Sequence, residues 1–216
     1  MSFLDSASMR AVLVPVKAFA QAKLRLHVVL DQQMRRRLAM ALASIVLDAA
    51  HDVPRYVVCD DNEVAEWAIG HGAQVLWTPG LGLSGAVSAG VEHLGRIGFD
   101  YVTVAHGDLP LVRSLERIGD EGEVTLAPDR RLDGTNVASV PSRAGFRFAY
   151  GPGSFARHRR EAERLQLPLR IVHDSRLACD VDIPSDLDLV TDLVESLRRE
   201  LAKLATIPLT EEIAPR

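Results

Sequence analysis

Residues 101–112 read YVTVAHGDLPLV. The β-rich start (Tyr101, Val102, Val104) runs into Gly107-Asp108, and Leu109-Pro110 then halts the strand, because proline restricts the residue before it and turns the chain. The pattern leaves Asp108 at the carboxyl end of a strand. In an open α/β sheet that rim is where ligands bind, since its loops can carry polar groups that the packed sheet cannot. A second acidic cluster, Asp180-Val181-Asp182, stands late in the chain, just before Pro184. Carboxylates two residues apart on an extended segment point the same way, because strand side chains alternate with a period of two. Asp108, Asp180 and Asp182 together form a set of oxygen ligands suited to a hard divalent cation.

Outward from this stretch, strands and helices alternate. Ala11–Val16 (AVLVPV) reads as a buried strand of the parallel-sheet kind. Lys17–His27 follows as a loop carrying three cations, Lys17, Lys23 and Arg25. A helix is expected over Leu30–Ala50, capped by Asp31, with Leu38, Leu42, Ile45 and Val46 on its inner stripe. Arg35, Arg36 and Arg37 fall on its solvated face. Tyr56–Cys59 (strand), Glu63–Ile69 (helix), Gln74–Trp77 (strand) and Ala86–Ile97 (helix) lead to the strand that ends at Asp108. This order predicts an α/β fold with a mainly parallel central sheet flanked by helices. Further on, Val124–Ala127 and Asn136–Val140 read as strands, Phe155 to about Leu165 as a helix and Leu169–His173 as a strand. The last helix starts at Pro184 or Ser185, where Ser185 and Asp188 have capping-box spacing. One domain over residues 10–205 is expected, with residues 1–9 and 206–216 as terminal tails.

Composition sets limits on function. With 216 residues and 47% hydrophobic content the chain can bury a full core. A net charge of −4 leaves no global field for nucleic acid, so anions must be met by a local basic cluster. Cys59 and Cys179 have no metal-ligand spacing and no disulfide framework, which fits a reducing cytoplasmic setting. The opening MSFLDSASMR has no apolar core of signal-peptide length, and the longest uncharged run, Trp67–Val91, is broken by Pro79 and six glycines. Neither export nor a membrane span is expected.

The loop motifs each carry two readings. Gly80-Leu-Gly82-Leu-Ser84-Gly85 matches GxGxxG, but it stands at the third βα connection instead of the first, and lacks the acidic partner of a dinucleotide site. It is either a plain turn into a helix or a small-residue loop close to a flat ligand such as a purine. No GxxxxGK[ST] is present, so the phosphate-facing cations would be Lys17, at the immediate end of a buried strand, with Lys23 and Arg25. Arg25 reads equally as a surface residue. Gly151-Pro152-Gly153-Ser154 opens a helix with free amides that favour a phosphate or carboxylate, or serves as an ordinary cap. Thr135 and Asn136, after Asp133-Gly134, face the same pocket or simply leave a turn. Asp186 and Asp188 read as first-turn residues of the last helix, and His106 reads equally as packing. No nucleophilic triad is visible.

Taken together, PVK and AKLRL after the first strand, GDLP after the fourth, then GTN, GPGSF and DVDIPSDL resemble the guanylyltransferases that act on 2-phospho-L-lactate or phosphoenolpyruvate in making coenzyme F-420. The resemblance runs from Ala11 to Leu189. It implies a nucleotidyltransferase fold, GT-A-like and Rossmann-like, shared with molybdenum-cofactor and sugar-phosphate nucleotidyltransferases. It further implies that Asp108, Asp180 and Asp182 hold magnesium (Mg2+), and that Lys17, Lys23 and Arg25 contact the triphosphate of GTP. Gly82, Ser84 and Gly85 would lie by the nucleotide. Thr135, Gly151 and Ser154, with Asn136, would bind a phosphorylated three-carbon acid. Asp108 and Lys17 would be the catalytic pair. His106-Gly107 departs from the small or apolar pair expected before Asp108. Phosphoenolpyruvate, 2-phospho-L-lactate and 3-phosphoglycerate all remain open as acceptors; arginine outnumbers lysine 22 to 3, as in high-GC actinobacterial genomes, and for that group the family resemblance implies phosphoenolpyruvate. A molybdopterin acceptor and a non-catalytic nucleotide-binding module are the other readings.

Overall fold

The computed structural model describes residues 8–116 and 118–205. Seven strands form one sheet: β1 (Arg10–Pro15), β2 (Arg55–Cys59), β3 (Gln74–Trp77), β4 (Tyr101–Ala105), β5 (Val124–Pro128), β6 (Thr135–Pro141) and β7 (Leu169–Ile171), in the order β3-β2-β1-β4-β6-β5-β7. Only β6 runs against its neighbours; the β1–β2, β1–β4, β2–β3 and β5–β7 pairs are parallel. The reversal has a functional consequence. It brings the beginning of β6, Thr135 and Asn136, to the same rim as the carboxyl ends of β1 and β4.

Helices α1 (Gln32–Asp48), α2 (Asn62–Gly70), α3 (Gly82–Arg96), α4 (Ser154–Arg164), α5 (Ser175–Ala178) and α6 (Thr191–Ala205) cover the sheet. Alternation along β1 divides the core. Val12 and Val14 pack with α1 and α2, and Ala11 and Leu13 with α3 and the start of α4. The approach of α3 is close: a Cβ at Gly90 would lie 2.8 Å from Leu13 Cδ2 and 2.9 Å from Val58 Cγ1. A third cluster joins Leu38 and Leu42 of α1 to Val190, Val194 and Leu197 beside α6.

Asp31 caps α1 as expected, its carboxylate accepting from Met34 N–H at 2.8 Å. Three local readings are corrected. The strand before Asp108 ends at Ala105, so Asp108 sits on the loop beyond it. Helix α3 starts at Gly82, four residues early, because Gly80 and Gly82 take positive φ (72° and 61°) and turn the chain directly into the helix. Pro184–Val190 forms a 3-10 turn, not the first turn of the last α-helix, and its cap is not the Ser185/Asp188 pair. Asp186 does the capping, accepting from Asp182 N–H at 2.8 Å and Ile183 N–H at 2.9 Å. Met9, read as part of a loose leader, accepts from the amides of Asp100 and Tyr101. Residues 1–7 and 206–216, the rest of the expected tails, lie outside the described residues. Among the described residues no helix is long and apolar enough to cross a membrane.

Candidate active site

A cavity of about 490 Å³ opens on the sheet rim, lined by Lys17, Lys23, Arg25, Asp108, Thr135, Asn136, Gly151, Ser154, Asp180 and Asp182. Residues scattered over more than 160 positions are thus brought to one place. The two acidic segments are tied by their backbones, Val181 N–H donating to Asp108 C=O at 3.2 Å. Val181 is fully buried while Asp180 and Asp182 face the cavity, as the period-two pattern requires.

Lys23 organises the carboxylates. It adopts φ 54°, an uncommon conformation for a residue with a Cβ, and its Nζ lies 2.7 Å from Asp108 Oδ2 and 3.6 Å from Asp182 Oδ1. Burial pushes the Asp108 carboxyl upward, but the charge of Lys23, then that of His106, and the Lys23 hydrogen bond outweigh it and hold Asp108 below the ordinary carboxylate range. Asp180 moves the other way, raised first by burial and then by the charge of Asp108. Arg25 reaches Asp182 at 3.3 Å but is 70% exposed, so that pair contributes little.

The carboxylates fit a cation by one further observation: Asp108 Oδ1 is buried and has no hydrogen-bond partner. An unpaired buried carboxylate oxygen is costly unless a proton donor or cation meets it. The three acids share the cavity without closing to ligand spacing, since Lys23 stands between Asp108 and Asp182. Among the described residues, the one set of three such side chains with ligand atoms within 4.8 Å of one another is His51, Asp52 and Glu116, at the opposite end of the sheet.

Across the cavity, two buried hydroxyls are oriented by the protein. Ser154 Oγ accepts from Thr135 N–H at 3.1 Å. Fully buried His158 accepts from Ala149 N–H at Nε2 (2.9 Å), so its Nδ1 carries the proton and donates to Thr135 Oγ1 at 3.0 Å. Each hydroxyl therefore has an acceptor site filled and its own hydrogen available, which suits an anionic ligand. Burial and then Arg157 lower the His158 pKa to about 4, keeping the ring neutral. Asn136 is drawn into support: its Nδ2 donates to Leu177 C=O (3.0 Å) and contacts Asp180 Oδ1 (3.4 Å). Asp186 braces the acidic segment from behind, paired with Arg130 at 2.7 Å.

The GxGxxG residues separate. Gly82 lines a second, adjoining cavity. Ser84 lines neither cavity, and its Oγ accepts from Tyr150 N–H at 2.9 Å, fixing the approach to the GPGS turn. Gly85 lies within α3, and a Cβ there would meet Leu81 Cβ at 3.1 Å. His106, left undecided by the sequence, is in the cavity wall, its ring tilted 51° against that of Tyr150 with centroids 5.0 Å apart, and its Nε2 is buried and unpartnered. His158, Asp186 and Arg130 escaped the sequence reading altogether as site-supporting residues. The available signal was slight: Asp186 lies three residues after Ile183, the N3 position of a cap.

A doubly covered sheet with this strand order and an acidic, basic-flanked rim has the nucleotidyltransferase fold. A nucleotidyl transferase from Methanothermobacter thermautotroptrophicus superposes with a TM-score of 0.58 at 15% identity, covering 88% of this chain and 99% of that one. Within that fold the chain belongs to the family described as "Guanylyl transferase CofC like", matched over residues 9–195. Curated relatives include a phosphoenolpyruvate guanylyltransferase of Sphaerobacter thermophilus, 37% identical over 81% of this chain and 89% of its own length. A 2-phospho-L-lactate guanylyltransferase of Methanothrix thermoacetophila is 32% identical over 81% of this chain and 79% of its own length.

Proposed function

We propose that this protein transfers GMP from GTP to the phosphate of phosphoenolpyruvate, giving enolpyruvoyl-2-diphospho-5'-guanosine and pyrophosphate, in the cytoplasmic synthesis of coenzyme F-420. The observation that carries the reading is the cavity itself: three aspartates and two lysines face two buried hydroxyls oriented as donors. Family membership supports guanylyl transfer, and the name of the Sphaerobacter relative supports this acceptor over 2-phospho-L-lactate. The free, buried Cys59 and Cys179 agree with a reducing compartment.

In this reading an oxygen of the acceptor phosphate attacks the α-phosphorus of GTP in line. The new P–O bond forms as the bond to the β-phosphate oxygen breaks, and pyrophosphate leaves with the electron pair. No protein nucleophile or base is required, because the acceptor is already an anion. The protein's task is to align two anions and offset their charge. Asp108, Asp180 and Asp182 would hold Mg2+, which supplies charge neutralisation and Lewis acidity to the phosphoryl oxygens. Lys23 holds Asp108 ionised and, with Lys17 and Arg25, offsets the triphosphate. Thr135, Ser154 and the Gly151 turn orient the three-carbon acid.

The test is pyrophosphate release from GTP and Mg2+ with phosphoenolpyruvate, 2-phospho-L-lactate and 3-phosphoglycerate in parallel, and with Asp108→Asn as control. Release with phosphoenolpyruvate, abolished in the folded variant, is expected. Release with another acid alone moves the acceptor, and folded enzyme that releases none with any acid defeats the reading.

A further inference from the structure

The cavity adjoining the reaction site, about 420 Å³, has no role in the chemistry above. It shares Pro15, Val16, Lys17, Gln21 and Leu83 with the reaction cavity, so the two are continuous around the end of β1. It lies over the carboxyl ends of β1, β2 and β3, on the other side of the β1/β4 switch point from the acids of the acceptor side. Its walls include Val16, Val58, Leu83 and Ala86, apolar surfaces suited to the face of a flat ring.

Among its polar side chains, Asp61 and Thr78 are engaged by the protein, whereas Lys17, Gln21 and Asp60 have no hydrogen-bond partner among the described residues. Asp61 is the cap of α2, accepting from Val64 N–H at 3.1 Å. The Cys59 carbonyl accepts from Thr78 N–H at 2.9 Å. Asp60 differs: it is exposed at the cavity edge directly after β2, and its carboxylate has no hydrogen bond or ion pair among the described residues. We infer that this cavity is the base subsite and that the Asp60 carboxylate reads guanine through its N1–H and N2 amino group. The inference rests on the guanylyl-transfer reading above.

The chemistry is selective because an ionised carboxylate only accepts. Guanine offers two adjacent donors on one edge. Adenine and cytosine set a ring-nitrogen lone pair beside their amino group, and uracil flanks one N–H with two carbonyls; each of these turns an acceptor toward the carboxylate. A site built around such donors rejects an analogue that lacks one, because its own polar group is left unpaired. Lys17, common to both cavities and without an ion-pair partner among the described residues, stands where the nucleotide would pass from base to phosphates.

The experiment is equilibrium binding of GTP, ITP and ATP to the full chain and to Asp60→Asn, by calorimetry. ITP lacks only the N2 amino group. The wild type is expected to hold GTP ~10-fold or more tighter than ITP, as for loss of one charge-assisted hydrogen bond, and tighter still than ATP. In Asp60→Asn, GTP should fall to within about 3-fold of ITP while ATP is unchanged or improved, as expected once an amide that also donates replaces the acceptor-only carboxylate. Equal wild-type affinity for GTP and ITP, retained discrimination in the variant, or absence of any nucleotide binding would each overturn the inference. GTP-specific pyrophosphate release that is untouched by Asp60→Asn defeats the base assignment alone. Discrimination that collapses in the variant, without release for any acid, defeats the acceptor chemistry alone.

Discussion

Acid should destabilise this fold through His158 by an amount that can be isolated. The ring is fully buried and bonded on both sides, Nε2 accepting from Ala149 N–H and Nδ1 donating to Thr135 Oγ1, so only the neutral form fits. Its pKa falls from 6.5 to about 4, through burial and then the charge of Arg157. Below the ordinary histidine pKa the unfolded chain takes up a proton that the folded chain refuses, and stability is lost as pH falls until the folded pKa is reached. At about 1.4 kcal/mol per pH unit, the whole window is worth about 3 kcal/mol, and about 2 kcal/mol is gone by about pH 5. Urea denaturation followed by fluorescence of Trp67 and Trp77, across neutral to acid pH, measures it against His158→Gln. The glutamine amide does not titrate and can still accept from Ala149. Carboxylate titrations cancel in the difference, so the stability gap between wild type and variant should shrink by this amount on acidification. A gap that stays constant with pH would refute the reasoning.

The remaining expectations concern the acidic rim and its supports. Lys23→Met leaves Asp108 charged, half-buried and unpaired, and should cost about 2–4 kcal/mol at neutral pH in urea denaturation; adding Asp108→Asn should recover most of it, and simply additive losses would contradict the pairing. Asp186→Asn should lose about 1–3 kcal/mol of stability, because a neutral amide replaces a charge that accepts two backbone N–H groups and Arg130. The same variant should lower turnover by misplacing Asp182, and normal turnover would show that the brace is dispensable. Thr135→Val keeps the shape but removes the donor hydroxyl, and should lower kcat/KM for the phosphorylated acid ~10–100-fold with GTP binding intact. An equal loss of GTP affinity would assign Thr135 to the nucleotide instead.

What the sequence made legible was what depends on local period and chain order. The apolar run at β1, the Asp31 cap and the alternation of Asp180, Val181 and Asp182 all act over a few residues, and each is found in the structure. The strand–helix alternation likewise predicted the central sheet. What stayed hidden depends on partners far away in the chain. The pairing of Lys23 with Asp108 spans 85 positions, and that of Arg130 with Asp186 spans 56. His158 sits in RHRREAER, a highly charged stretch with no local sign of a buried residue. Its burial comes from Phe146, Phe148 and Tyr150, on a loop with no period of its own. The glycine-rich motif around Ser84 reads both as a turn and as a ligand loop; the positive φ of Gly80 and Gly82 serves the turn into α3, and the bond from Tyr150 N–H to Ser84 Oγ spans 66 positions.

The most direct test of the account is the identity of the product. Purified protein incubated with GTP, phosphoenolpyruvate and Mg2+ should yield one equivalent of enolpyruvoyl-2-diphospho-5'-guanosine per pyrophosphate, seen together by mass spectrometry and phosphorus NMR. GDP or GMP formed with phosphoenolpyruvate unchanged would contradict the central claim that this rim joins two phosphates.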